Sequence, residues 1–152
     1  MEFVDTHTHL DGPEFDADRD AVVCRAREAG VSRVFVPATD LKSVDSVLDV
    51  CDRYPGYAWP MIGLHPEEVR GDWREVLTEM RRMASPRFIA IGEVGLDYYW
   101  SREFEHEQLE AFEEQVRWSI ELDLPLMIHC RKAQNEMVSI LRRYERELRG
   151  GV

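Results

Sequence analysis

Hydrophobic and polar positions along the chain switch between two periods. Five short apolar runs rich in β-branched and aromatic residues read as strands: Phe3–His9, Val31–Pro37, Trp59–Leu64, Phe88–Glu93 and Leu126–Cys130. Between them apolar residues recur at helical spacing, as in Val44, Val47, Leu48 and Cys51, then Trp73, Val76, Leu77 and Met80. Leu109, Phe112, Val116 and Ile120 form a third stripe, and Met137, Leu141, Tyr144 and Leu148 a fourth. These stripes predict helices with one core-facing side. Each strand and helix together take about 30 residues, the size of a βαβ unit. Gly30 and Gly150 follow the first and last helices, where a left-handed cap favours glycine.

Alternating strands and helices predict an α/β fold with a parallel sheet, with polar groups gathered at the C-terminal ends of the strands. The sequence has that asymmetry: His7 and His9 close the first run, His65 follows the third, Glu93 closes the fourth and His129 stands near the end of the fifth. No strand start carries a comparable set. A closed (β/α)₈ barrel needs eight strands and about 250 residues. The terminal Gly150-Gly151-Val152 reads as a helix cap followed by the first residue of a sixth strand. Residues 1–152 are therefore expected to form a single (β/α) domain, an incomplete barrel interrupted before strand six. Its two open sheet edges would invite self-association.

Composition narrows the function. The chain has 152 residues, 44% hydrophobic, enough for one ordinary core. No apolar run approaches the roughly 20 residues of a membrane span, and the acidic start MEFVD does not resemble a signal peptide, so a cytoplasmic location is expected. Cys24, Cys51 and Cys130 are widely spaced and in no C-x-x-C pairing, which suits reduced thiols packed as small apolar residues. The formal net charge of −11 argues against coating nucleic acid by general phosphate neutralisation. It leaves phosphate chemistry open, because bound divalent cations can invert the field of a site.

The stretch VDTHTHLD carries the first candidate chemistry. If extended, it places Asp5, His7, His9 and Asp11 on one face. A solvated strand face would accommodate the same residues. Convergence with Glu93 and His129 on one rim favours a metal, because imidazole and carboxylate are the donor set of Zn²⁺ and related ions. Glu93 has two oxygens and can bridge two cations. His65 and Arg131 lie near the same rim and suit a substrate phosphate, or are ordinary loop residues. Asp97, Tyr98 and Tyr99 follow Glu93 in what reads as a loop, with orienting, stacking or packing roles all open. No G-x-S-x-G or G-x-x-x-x-G-K-[ST] motif is present.

As an ordered set, DTHTHLD, IGLHPEE, IGEVGLDYY and PLMIHCRKA resemble the TatD family of metal-dependent deoxyribonucleases, along the whole of the chain. The resemblance implies a TIM-barrel-type fold of the amidohydrolase-like metal hydrolases and cleavage of phosphodiester bonds in DNA, often from the 3′ end. It implies that His7 and His9 bind one divalent ion, Glu93 bridges two, and His129 binds the second, the ions being Zn²⁺, Mn²⁺, Co²⁺ or Mg²⁺. The family's pattern continues with a further His and a water-activating Asp, neither of which has a position within residues 1–152. The 152 residues by themselves are accordingly expected to be weakly active or inactive. DNA is the expected partner, as substrate, with no membrane and no stable protein partner. Two alternatives stand beside this: another metal hydrolase, phosphotriesterase-like or amide-cleaving, and a non-catalytic metal-binding half-barrel. The run ending in Glu93 contains no Lys, which disfavours relatives that bridge their metals through a modified lysine there.

Overall fold

Five strands, each followed by a helix, make up the computed structural model, which describes residues 1–152. The order is β1 (Phe3–Asp5), α1 (Arg19–Glu28), β2 (Val31–Pro37), α2 (Ser43–Arg53), β3 (Ala58–Met61), α3 (Trp73–Met83), β4 (Ile91–Asp97), α4 (Glu105–Glu121), β5 (Leu126–Arg131) and α5 (Gln134–Tyr144). All strand pairs are parallel: β1 with β2, β2 with β3, and β4 with β5. A single bridge, Ile62 to Ile91, links β3 to β4, so the strands follow chain order. The result is a partial barrel of five βα units. At its far edge Leu126 pairs with Gly151, and the Ile128 amide donates to the Val152 carbonyl at 2.8 Å, as the terminal Gly-Gly-Val suggested.

Strand alternation sorts the core into two unequal parts. Val34 and Val36 of β2, with Ile62, Val94 and Leu126, face the helices and join a cluster of 31 buried residues. Their neighbours Phe35, Met61, Ala90 and Met127 point to the opposite face and form a smaller cluster. This second face, bare of helices, is the one that carries the polar site at its upper end. Every residue of β4 is buried, as expected of a strand covered on both sides. Gly30 follows the C-cap of α1 with φ 94°, in line with its expected position, whereas α5 ends at Tyr144 and leaves Gly150, with φ 119°, beyond its cap.

Three strands differ from the expected ones by more than one residue. The first strand stops at Asp5 rather than His9, so the two histidines leave the extended alternation and the four-residue ligand face does not form. Asp5 Oδ1 instead accepts the His7 backbone amide at 3.1 Å, and Asp11 Oδ2 accepts the Ser46 hydroxyl at 2.9 Å. The third strand ends at Met61 because the Leu64 backbone is satisfied by a side chain: Gln115 Oε1 accepts its N–H at 2.7 Å and Gln115 Nε2 donates to its carbonyl at 3.2 Å. The fourth runs from Ile91 to Asp97, past the expected end at Glu93. Gly92 and Gly95, whose lack of a side chain suits close backbone approach, serve close packing against β5. Of the cysteines none is paired; only Cys51 is buried, while Cys24 and Cys130 are exposed and so do not pack as core residues.

Candidate metal centre

Glu93 is the hub of the rim. It lies in the interior of β4 and is 4% exposed, and its two carboxyl oxygens face different histidine pairs. Oε2 lies 2.9 Å from His7 Nε2 and 3.6 Å from His9 Nε2. Oε1 lies 3.1 Å from His129 Nδ1 and 3.5 Å from His65 Nε2. The His7 and His9 Nε2 atoms are 3.2 Å apart, and the rings of His65 and His129 meet edge to face at 4.6 Å. Four imidazoles from three separate segments thus surround one carboxylate. Asp5 and Asp11, with which the sequence bracketed the His pair, stand outside this ring.

Glu93 and the imidazoles of His9 and His129 favour one another's charged forms. Burial by itself would raise the Glu93 pKa, but hydrogen bonds from His129, His65 and His9 outweigh it and hold the carboxyl far below its ordinary range. His9 and His129 are shifted the other way, each raised chiefly by its bond to Glu93 against the opposing effect of burial. The linkage has opposite signs for the two kinds of group. Glu93 contributes stability that is fully present above its ordinary value of 4.5 and fades at lower pH. The two histidines contribute stability that is fully present below 6.5 and is lost as pH rises through their raised values. Thermal melts in EDTA should therefore show this cluster stabilising the metal-free chain most between pH 4.5 and 6.5, with loss on the alkaline side. A midpoint that climbs steadily from pH 6 to pH 8 would contradict the assignment.

His129 and His65 are set in opposite tautomers by their other nitrogens. His129 Nε2 lies 2.8 Å from Asp97 Oδ2, so in the neutral ring it donates there and leaves the Nδ1 lone pair turned to Glu93. His65 Nδ1 accepts the Glu67 amide at 3.1 Å, which places the proton on Nε2 and makes that atom a donor. His129 is thus prepared to hold a cation, whereas His65 is prepared to donate to an oxygen.

Asp97 is the functional residue that sequence reasoning left among loop positions. Its side chain is 1% exposed; burial would raise its pKa, but the Tyr99 amide and His129 lower it on balance. Gln108 clamps its backbone, accepting the Asp97 N–H at 2.9 Å and donating to its carbonyl at 3.2 Å. Glu93 and Asp97 flank Gly95, which pairs with His129, so one imidazole reaches both carboxylates. The available signal was the period-two spacing of Glu93 and Asp97, obscured by Gly95 between them.

Asp97→Asn should weaken divalent-cation binding about 10- to 100-fold, the usual effect of losing a group that orients a ligand histidine. Oδ1 already accepts the Tyr99 amide at 2.8 Å, so an Asn oxygen would stay there and turn its NH₂ toward His129 Nε2. That forces the proton onto Nδ1 and blocks the lone pair. Calorimetric titration with Mn²⁺ measures the change, and an unaltered affinity would refute the orienting role.

The donor set fits divalent cations. His7, His9 and Glu93 bring their ligand atoms within 4.8 Å of one another, as do His65, Glu93 and His129, and also Glu67, Asp97 and His129. Two nitrogens bound to one tetrahedral ion at about 2.0–2.1 Å lie roughly 3.3 Å apart. The His7 to His9 separation of 3.2 Å is already close to that. Arg131 stands further out on the rim, its guanidinium 3.6 Å above the Tyr99 ring.

Comparisons with known proteins agree with this geometry. A family model described as TatD related DNase matches residues 4–152. The 3'-5' ssDNA/RNA exonuclease TatD of Erwinia tasmaniensis is 36% identical over 150 residues, covering 97% of this chain and 58% of that protein. An uncharacterized metal-dependent hydrolase, YabD of Bacillus subtilis, is 32% identical over 149 residues, with the same coverage of 97% and 58%. Among solved structures, the TatD homologue YJJV of Escherichia coli superposes with a TM-score of 0.82 at 31% identity, covering 94% of this chain and 56% of the other. A TatD family hydrolase from Entamoeba histolytica shares the fold, with a TM-score of 0.76 at 20% identity, covering 96% and 55%. This chain thus spans less than two thirds of the length of these relatives. With its family model matched from residue 4 to residue 152, the chain belongs to the TatD related DNase family.

Proposed function

We propose that the whole protein hydrolyses phosphodiester bonds in DNA with two divalent cations, working from the 3′ end, residues 1–152 contributing the part of the site described above. The observation that carries the reading is the division of Glu93: one oxygen faces His7 and His9, the other His129 and His65. His7, His9 and Glu93 Oε2 would hold one cation, and His129 Nδ1 with Glu93 Oε1 would contribute to holding the second. Such cations, of the Zn²⁺, Mn²⁺, Co²⁺ or Mg²⁺ class, polarise a phosphoryl oxygen and make water acidic enough to attack it.

The chain's own residues supply position and charge. Glu93 places its negative charge between the two histidine pairs. His65 offers its Nε2 proton to a phosphoryl oxygen at the rim, and Asp97 keeps the His129 ring fixed. Arg131, at the end of β5, presents a planar fork suited to phosphate. The 3′ polarity and the nucleic-acid substrate are supported by the name of the Erwinia tasmaniensis relative, a 3'-5' ssDNA/RNA exonuclease. No helix is long and apolar enough to cross a membrane.

The test is a single-stranded oligonucleotide labelled at its 5′ end, incubated with the protein and Mn²⁺. Stepwise shortening from the 3′ end, abolished by EDTA, is the expected result. Cleavage that survives EDTA, or hydrolysis of a cyclic amide with none of the oligonucleotide, would overturn it. A protein that binds Mn²⁺ tightly and turns over neither substrate would be a metal-binding module without catalysis.

A further inference from the structure

Beside the histidine ring, the rim carries an exposed group of aromatic and cationic side chains, of which the hydrolytic reading uses only Arg131. Tyr99 and Trp100 are 45% and 68% exposed and meet edge to face, with ring centroids 4.7 Å apart at 85°. The Arg131 guanidinium lies 3.6 Å from the Tyr99 centroid and 5.3 Å from that of Trp100, and Lys132 Nζ lies 5.1 Å from Tyr99. Neither cation is within ion-pair distance of a carboxylate, although the chain carries a net charge of −11. Lys132 sits at φ 54°, a left-handed conformation uncommon for a lysine, just where the chain turns out of β5.

The group is tied to the site by a short chain of hydrogen bonds. Asp97 accepts the Tyr99 amide through one oxygen and meets His129 Nε2 through the other. Trp100 lines the same cavity as Asp97, so a phosphodiester held at Glu93 and His129 would have its neighbouring nucleotide beside it.

We propose that Tyr99, Trp100, Arg131 and Lys132 form a platform on which one unpaired base of single-stranded nucleic acid stacks, its flanking phosphate met by the two cations. The proposal rests on the hydrolytic reading for the position of the scissile bond. Arg131 already covers Tyr99 and braces it, so Trp100, the more exposed ring, receives the base. Stacking of this kind tolerates any base but needs one free of its duplex. An exposed aromatic pair flanked by unpaired cations suits such a strand better than it suits a duplex, whose base faces are hidden.

Binding is measured apart from hydrolysis, on the metal-free protein in EDTA at low salt, by fluorescence anisotropy with labelled oligothymidylate and an abasic strand of equal length. Trp100→Ala should weaken oligothymidylate binding about 10-fold and leave the abasic strand unchanged. Trp100→Phe should restore most of the loss. Lys132→Gln should weaken both strands alike and lower the salt dependence. Oligothymidylate affinities within twofold for wild type and Trp100→Ala, equal weakening of both strands, preference for duplex, or no binding at all would each overturn the platform. Cleavage of the same two strands by the metal-loaded protein reports separately on the hydrolytic reading: loss of both cleavages with Trp100-dependent binding intact would sink that reading and leave the platform standing.

Discussion

Glu93→Gln is expected to weaken divalent-cation binding by more than about 100-fold, beyond the usual loss for a group that merely orients a ligand, and to abolish metal-dependent hydrolysis. Gln has the same shape, so the 4% exposed position stays filled. Its amide, however, offers one oxygen where the carboxylate offers two, and carries no charge to offset the cations. Whichever way it is turned, one histidine pair faces an NH₂ group, which cannot ligate. The substitution also removes the carboxylate that raises His9 and His129, so these two rings should titrate closer to ordinary imidazole. Elemental analysis after dialysis, with a thermal melt to confirm folding, separates loss of the site from loss of the protein. A folded Gln variant that holds Mn²⁺ within tenfold of wild type would remove Glu93 from the centre of the site.

Gly95→Ala should damage the fold and the site together. Gly95 pairs with His129 across β4 and β5, and an added Cβ would lie 1.9 Å from the His129 carbonyl oxygen, 2.9 Å from its carbon and 3.1 Å from its nitrogen. These are backbone atoms, so no side-chain rotation relieves the clash. The residue also has φ of 150°, which an L side chain rarely adopts. Positive-φ strain of about 1–3 kcal/mol and overpacking of about 1–3 kcal/mol add to a sizeable share of the ~5–15 kcal/mol that holds a typical domain together. The melting temperature should fall by at least about 4 °C, with His129 displaced and cation affinity lost. Gly71→Ala is the control, since no atom lies within 4 Å of its added Cβ and its φ is not positive; it should leave stability unchanged within about 1 kcal/mol or raise it slightly. A Gly95→Ala protein that melts within 2 °C of wild type would refute the close-approach argument.

Much of the site could be read before folding was known. His7, His9, Glu93 and His129 are marked by residue type and by position at the ends of apolar runs, and the structure brings all three histidines to Glu93. His65 was expected beside a phosphate; it joins the ring around Glu93, yet its tautomer keeps it a donor. What sequence could not supply was partner choice. Asp5 and Asp11 share the spacing of the His pair but face a backbone amide and Ser46, because the strand ends at Asp5 and the alternation that would have aligned them stops.

The sequence by itself determined the order of five βα units, the helix faces, the glycine after α1 and the set of metal-ligating residue types. These follow from periodicity and from local backbone preference, which act over a few residues at a time. Only the tertiary structure decided that β4 continues through two glycines to Asp97, that Gln115 ends β3 by satisfying Leu64, and that the oxygens of Glu93 divide between two pairs of histidines. Each of these depends on which distant backbone or side chain is within about 3 Å, the range over which a hydrogen bond is made or missed. Distances between segments tens of residues apart are set by packing the sheet against its helices.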